Sequence, residues 1–123
     1  MSFDTPRATL DAYAAGCKAL DRDLLARCFH RAAVMSGDLD GTMLIGGPAP
    51  FLDDVAALAA TGIDHADFAA NVIELTVNGR VAAGAVHSTA FAGRYDFLDR
   101  FHLVEDAGGW LITSKCFTTL GTR

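Results

Sequence analysis

The feature that most constrains the fold of this chain is the change in residue pattern after its midpoint. Four segments there have the composition and two-residue alternation of β-strands: residues 68–77, 80–91, 95–104 and 110–120. The connections between them are short and rich in turn residues: Asn78-Gly79, Ala92-Gly93-Arg94 and Asp106 to Gly109. Because short turns join antiparallel neighbours, the sequence predicts a four-stranded antiparallel meander.

The first half of the chain has helical signals instead. Thr5-Pro6 is typical of a helix cap followed by proline at the first helical position, and Asp21 is typical of the cap of a second, short helix. Pro48 and Pro50 predict the start of a third helix, which Gly62 ends. Residues 33–35 and 43–45 have the composition of short strands, separated by a polar loop at 36–41.

Helices followed by a meander predict a single α+β domain over residues 1–123. The helices must cover one face of a curved sheet. What remains between the two layers is a cone, either open as a pocket or filled by side chains.

Composition excludes several classes of partner. The chain has a formal net charge of −5 and scattered basic residues, so we expect no binding to nucleic acid or to a membrane surface. No apolar run approaches the roughly 20 residues that cross a bilayer, and the start of the sequence lacks an export signal.

The cysteines and histidines indicate the cellular compartment and whether a metal or cofactor is expected. Cys17, Cys28 and Cys116 are an odd number without a C-x-x-C pair, and each sits among apolar residues, which favours buried thiols in a reducing cytoplasm. The four histidines lack metal-binding spacing, and no nucleotide motif is present. We therefore expect neither a metal nor a cofactor.

The residue of greatest chemical interest is Asp99. Two-residue alternation puts it on the same strand face as Phe97, Phe101 and Leu103. Three apolar side chains favour burial of that face, so the carboxylate is carried inward and needs a partner or its proton. It serves either in a functional site or as a structural ion pair.

Three local motifs give the layout a family resemblance. They are Phe29-His30-Arg31-Ala32-Ala33, the run Phe97 to Leu103, and Gly109-Trp110-Leu111-Ile112 leading to Lys115-Cys116-Phe117. Together with the order of elements, they resemble the NTF2-like superfamily, a cone-shaped α+β fold, and in particular its SnoaL-like, lumazine-binding bacterial branch. Since this fold hosts many functions, the resemblance implies the architecture and not a reaction.

The resemblance extends to the ketosteroid isomerase branch at two positions. Asp99 matches the protonated aspartic acid of that enzyme's oxyanion hole, and Tyr13 matches the tyrosine of the hole. The position of the general base falls on Gly37, with Asp38 next to it. Because glycine has no side chain, steroid isomerisation is not expected. The alternative to a role in an oxyanion hole is that Tyr13 is a core tyrosine with its hydroxyl at the rim of the pocket.

His87 and Lys115 depend on strand register. A three-residue loop at 92–94 would place His87 opposite Asp99, as a general base oriented by a carboxylate; a one-residue shift would turn it to the other face. Strict alternation points Lys115 away from Trp110 and Ile112, whereas a β-bulge would turn it inward to pair with Asp99.

Of the other histidines, only His30 has an assigned role here. It ends the second helix, where a cation interacts favourably with the helix dipole.

The pocket is expected to be lined by aromatic, apolar and a few polar side chains: Tyr13, Phe29, Met35, Phe51, His87, Asp99, Phe101, Lys115 and Phe117. The catalytic candidates among them are Asp99, His87 and Tyr13. On the outer face we expect the small residues Ala82, Gly84, Val86, Ser88 and Ala90. The resemblance implies that such domains pair through this face, which predicts a homodimer.

Two functions remain open at this point. In the first, the cone binds a small, mostly apolar molecule, with cofactor-free acid/base chemistry of the isomerase, cyclase or dehydratase type as its enzymatic form. In the second, the cone is filled by its own side chains and the protein is a non-catalytic dimeric interaction module. The volume of the cavity distinguishes them.

Overall fold

Three helices and six strands make up the computed structural model, which describes residues 2–123. The helices are α1 (Pro6–Ala19), α2 (Arg22–Cys28) and α3 (Ala49–Ala60). The strands are β1 (Phe29–Leu39), β2 (Thr42–Gly46), β3 (Ala69–Asn78), β4 (Val81–Phe91), β5 (Tyr95–Asp106) and β6 (Gly109–Thr122). The α+β class is confirmed.

The predicted caps define the starts of the first two helices. Thr5 Oγ1 accepts a hydrogen bond from Ala8 N at 3.0 Å, and Asp21 Oδ1 accepts one from Leu24 N at 3.1 Å. The third helix begins after Pro48 without a side-chain cap, and Gly62 follows its end with φ +71°.

The sheet has the order β2-β1-β6-β5-β4-β3, in which only β1 and β6 are parallel neighbours. The predicted meander corresponds to β3–β6. Two predictions about the first half are wrong: most of the polar loop at 36–41 belongs to β1, and His30 lies in that strand rather than at a helix end. His30 Nε2 lies 2.8 Å from Asp106 Oδ2, so its partner is a carboxylate and not a helix dipole.

A β-bulge in β4 changes the register beside Asp99. Phe91 pairs with Tyr95, as the predicted loop requires, but Ala90 has φ +60° and the pairing then shifts by one residue. Val86 therefore lies opposite Asp99, and His87 lies opposite Leu98. The predicted placement of His87 is wrong, because alternation puts its side chain on the other face of the sheet.

The same shift reverses the faces of β4. The sequence predicts that the small residues of β4 lie on the outer face of the sheet, yet all of them are buried on the concave, helix-facing side. They are Ala82, Gly84, Val86, Ser88 and Ala90. A Cβ on Gly84 would lie 2.9 Å from Leu10 Cδ1, so the missing side chain is what lets α1 pack this closely. The expectation of an outer face made from these residues is corrected.

A second bulge lies in β6. Leu103 pairs with Ile112, whereas His102 pairs with Ser114, which leaves one extra residue in β6. Lys115 therefore shares the inward face with Ile112, as the bulge alternative predicted, and is only 5 % exposed.

The core between the sheet and the helices is apolar. Its fully buried side chains are Leu10, Leu25, Cys28, Val55, Val86, Leu103 and Ile112. The three cysteines form no disulfide within residues 2–123, and Cys17 and Cys28 are buried, but Cys116 is exposed, contrary to expectation. The longest described helix, α1, has 14 residues, and none of the helices combines the length and hydropathy required of a membrane span.

Candidate functional site

A cavity of about 480 Å³ separates the concave face of the sheet from α1 and α3. Apolar and aromatic side chains supply most of its wall, and the polar groups are few. Its lining residues are Tyr13, Cys17, Met35, Leu39, Leu44, Ile45, Gly46, Gly47, Pro50, Phe51, Asp54, Leu58, Phe68, Ala70, Val86, Ser88, Phe91, Ala92, Tyr95, Phe97, Asp99, Lys115 and Phe117. The cone is therefore open rather than filled.

Asp99 is a buried part of the wall of this cavity. It is 3 % exposed, and its Oδ2 accepts a hydrogen bond from Tyr13 Oη at 2.8 Å. Its Oδ1 is buried and has no hydrogen-bond partner within residues 2–123. A buried carboxylate oxygen without a donor is costly, so this atom is the strongest unmet polar demand in the cavity.

Lys115 supplies the positive charge beside Asp99. Its Nζ lies 4.0 Å from Asp99 Oδ2, and both side chains are 5 % exposed. Nζ also lies 3.9 Å from the ring centroid of Phe51 and 5.1 Å from that of Tyr13, distances typical of cation–π contacts. The two charges balance each other in a setting where an isolated charge would be unfavourable.

Tyr13 reaches this pair from the inward face of α1. Burial raises the pKa of its phenol well above 10.0, and the adjacent Asp99 carboxylate adds to the effect. The phenol therefore stays protonated and donates to Asp99. In the arrangement that the resemblance implied, both groups would donate to one ligand atom; here the tyrosine proton is directed at the aspartate instead.

No side chain occupies the position that the resemblance assigns to a general base. Gly37 lies opposite Phe117 in the parallel pair β1–β6, and a Cβ at Gly37 would overlap the ring and the carbonyl oxygen of Phe117. Asp38 does not line the cavity; its Oδ1 accepts a hydrogen bond from Gly41 N at 2.7 Å and stabilises the β1–β2 turn.

The other predicted lining residues divide into two groups. Met35, Phe51 and Phe117 line the cavity. Phe29 and Phe101 do not, because they pack beneath the Tyr13 ring, with centroids 6.4 and 4.9 Å from it. Their predicted place on the wall, like that of His87, is corrected.

Several lining residues were missed by sequence reasoning. Cys17 lies four residues after Tyr13 on the same face of α1, and this spacing was a signal for it. Burial raises its pKa to about 12, so the thiol is not ionised at neutral pH. Phe91, Ala92 and Tyr95 come from the β4–β5 turn, where the bulge hides the facing pattern.

His65 connects two segments beside the cavity. Its Nδ1 lies 3.1 Å from Lys18 O, and its Nε2 lies 3.0 Å from Ala92 N. Because a backbone amide can only donate, Nε2 accepts and Nδ1 carries the proton. The imidazole thus joins the loop after α3 to the end of α1 and to the β4–β5 turn.

Comparison with known proteins adds the evolutionary setting. A family described as "putative lumazine-binding" matches residues 2–118, which is nearly the whole chain. A search of curated proteins finds no match.

Three solved structures illustrate the similarity of fold. An NTF2-like protein of unknown function from Silicibacter pomeroyi is 24 % identical, with TM-score 0.78 over 92 % of this chain and 91 % of that one. A putative calcium/calmodulin-dependent protein kinase type II association domain from Thiobacillus denitrificans is 18 % identical, with TM-score 0.72 over 98 % of both chains. A ketosteroid isomerase-like protein from Erwinia carotovora is 15 % identical, with TM-score 0.66 over 94 % and 93 %. At these identities the similarity establishes the fold alone.

Proposed function

Since this chain belongs to the putative lumazine-binding family and has the NTF2-like fold, we propose that it binds a small, mostly apolar molecule between its helices and its sheet. The observation that carries the proposal is the cavity of about 480 Å³. Its volume is in the range of small-molecule sites, and an apolar wall with a few polar groups is the usual composition of such sites.

Asp99 and Lys115 define which polar groups the ligand must carry. Asp99 Oδ1 is a free acceptor, so the ligand presents an O–H or N–H group to it. Lys115 Nζ makes no hydrogen bond within residues 2–123, so an acceptor on the ligand can bind there. The ligand is therefore an aromatic or alicyclic body with a donor and an acceptor at one end.

Proton transfer on the bound molecule is the enzymatic form of this proposal, and it would use Asp99 and Lys115. Ketone isomerisation of the steroid type receives little support, because Gly37 leaves no base and Tyr13 donates to Asp99. His87 takes no part, since it lies on the convex face. Ligand binding is therefore the function that the geometry supports best.

A thermal-shift screen of aromatic acids, ketones and pterins tests the binding proposal. At a concentration about 100 times Kd, a ligand should stabilise the protein by about 2.7 kcal/mol. Ala70→Phe puts a ring into the cavity from β3 and should abolish the stabilisation. Ala69→Phe is the matched control, because the adjacent Ala69 is exposed on the other face. Equal responses of the two variants, or no hit at all, would contradict the proposal.

We also propose that two copies of the chain pair through the convex face of the sheet. Ala83 is exposed on this face of β4, and such a small side chain would let a second sheet approach closely, whereas Ala85 on the same face is already buried. Glu74 and Arg100, 3.1 Å apart, flank Ala85 and supply both signs of charge. Sedimentation should show a dimer that Ala83→Arg dissociates while cavity binding persists. A monomeric wild-type protein would contradict this proposal.

We further propose a cytoplasmic location, in which thiols stay reduced. Its support is that Cys17, Cys28 and Cys116 are all unpaired. Detection of the native protein in a cytoplasmic fraction, and not in an exported one, is the expected result.

A further inference from the structure

We propose that Lys115 is an imine-forming lysine, which condenses reversibly with the carbonyl group of an aldehyde or ketone held in the cavity. This inference rests on the proposed function and specifies it, since it names the chemical class of the ligand. It concerns a covalent step at one nitrogen atom, Lys115 Nζ.

The position of Nζ is the first support. Lys115 lines the cavity although its side chain is only 5 % exposed, so a molecule that enters the cavity meets the amine without much competing water. Nζ makes no hydrogen bond within residues 2–123 that an incoming carbonyl would have to break. A preorganised amine next to a bound electrophile is the arrangement that nucleophilic catalysis by lysine requires.

The other lysine of the chain, Lys18, has an amine in a different setting. Lys18 Nζ donates hydrogen bonds to Ala66 O at 3.0 Å and to Phe68 O at 2.8 Å, and the residue is exposed. Its amine is thus engaged by backbone carbonyls and hydrated. Since the sequence contains no other lysine, the two side chains form an internal comparison.

Asp99 supplies the proton transfers. The Lys115 ammonium first gives a proton to the Asp99 carboxylate, and the free amine forms a C–N bond to the carbonyl carbon, giving a carbinolamine once a proton has moved from nitrogen to oxygen. Oδ1, the oxygen that has no partner in the unliganded protein, carries the proton from the ammonium and donates it in a hydrogen bond to the hydroxyl oxygen of the carbinolamine. Asp99 returns its proton to that hydroxyl, which leaves as water. Ammonium and carbonyl become iminium and water, with no oxidant and no net change of charge.

The surroundings suit the product as well as the reactant. The iminium nitrogen carries the same positive charge at the same place, 3.9 Å from the Phe51 ring centroid and near the Asp99 carboxylate. Tyr13 keeps Asp99 Oδ2 hydrogen-bonded throughout, so the carboxylate does not turn away.

Reductive trapping tests the proposal on the whole chain. The protein is incubated with benzaldehyde and sodium cyanoborohydride, and the labelled lysine is identified by peptide mass spectrometry. We expect Lys115 to gain one benzyl group about a hundredfold faster than Lys18. Asp99→Asn should slow labelling of Lys115 by about tenfold or more, because the proton shuttle is lost. Equal labelling of the two lysines, or faster labelling of Lys18, would overturn the proposal.

Two controls separate this inference from the binding proposal. Lys115→Arg keeps the positive charge but lacks the amine, so it should lose the label while circular dichroism shows the native fold; Lys18→Arg should keep it. Benzyl alcohol, which cannot form an imine, reports binding alone by thermal shift. Stabilisation by benzyl alcohol without trapping would overturn the imine and leave the binding proposal standing; absence of both effects would contradict the two together.

Discussion

At the scale of single residues, Gly37 shows how packing can remove a side chain that a reaction would need. The residue is buried where β1 runs parallel to β6, and the ring of Phe117 covers the space that a side chain would need. The glycine is thus a packing requirement of the strand pair. The same requirement removes the base that a steroid-type isomerase would carry there.

Gly37→Ala should therefore destabilise the protein by about 1–3 kcal/mol, because the added methyl group forces Phe117 and the backbone apart. Urea unfolding gives the measurement. Gly46→Ala is the control, since no atom lies within 4 Å of its added Cβ and the change should stay within about 0.5 kcal/mol. Equal stability of the two variants would contradict the packing argument.

Tyr13 provides a prediction at alkaline pH. Its folded pKa is raised above the ordinary 10.0, so its contribution to stability is complete below pH 10 and is lost as the pH rises through the folded pKa. Tyr13→Phe should lower the free energy of unfolding at pH 7 by about 1–3 kcal/mol, because Asp99 loses its donor.

The same variant should lose stability less steeply than the wild type above pH 10. Urea titrations from neutral to alkaline pH measure both effects. The buried thiol of Cys28, with a folded pKa of about 12 against an ordinary 9.0, contributes an alkaline loss that both proteins share. Parallel curves for the two proteins would show that the phenol is not responsible.

At the scale of elements, two β-bulges decide which side chains enter the cavity. The bulge at Ala90 turns His87 out, and the bulge before Lys115 turns that lysine in. Sequence alternation predicted the burial of Asp99, because β5 carries Phe97, Phe101 and Leu103 on the same face. It could not predict which side chains of the neighbouring strands point inward. One extra residue in a strand exchanges its two faces, and the local sequence carries little sign of such a bulge.

Asp96 stabilises the bulge at Ala90. Its Oδ1 accepts hydrogen bonds from Ala90 N at 3.0 Å and from Arg123 Nη2 at 2.9 Å, and these lower its pKa below the ordinary 3.8, the backbone bond contributing most. Its contribution is therefore present above pH 3.8 and lost as the pH falls through the folded pKa.

We expect Asp96→Ala to reduce the hydrogen-exchange protection of the Ala90 amide at pH 6, as measured by NMR. In the wild type this protection should fall on acidification below pH 3.8; in the variant it should not change further. Asp106→Asn is the control, because that carboxylate pairs with His30 and does not contact Ala90. Full protection in Asp96→Ala would contradict the role of this side chain.

At the scale of the whole molecule, the pair formed by Asp99 and Lys115 lies between the helix layer and the sheet in a mostly apolar interior. Burying two charges gains little net stability over well-packed apolar side chains, whereas leaving one of them alone is strongly unfavourable. Stability alone therefore does not account for this pair in the cavity wall, whereas the ligand binding proposed above would use both of its charges.

Lys115→Met should therefore cost about 3–5 kcal/mol, because it leaves the buried Asp99 carboxyl without its cationic partner. The double variant Asp99→Leu/Lys115→Met should recover most of that loss, or exceed the wild type in stability, and should bind none of the screened ligands. Urea unfolding and thermal shift measure the two properties. A double variant less stable than Lys115→Met would show that the pair stabilises the fold in its own right.

The sequence by itself determined the helix caps, the meander of β3–β6, the α+β class and the burial of Asp99. Each of these depends on residues that are neighbours in the chain, or on a period within one element. The tertiary structure decided the rest: the six-stranded sheet with its parallel β1–β6 pair, the inward turn of Lys115, the outward turn of His87 and the open cavity. These depend on how strands pair across long separations, where a single bulged residue reverses every side chain beyond it.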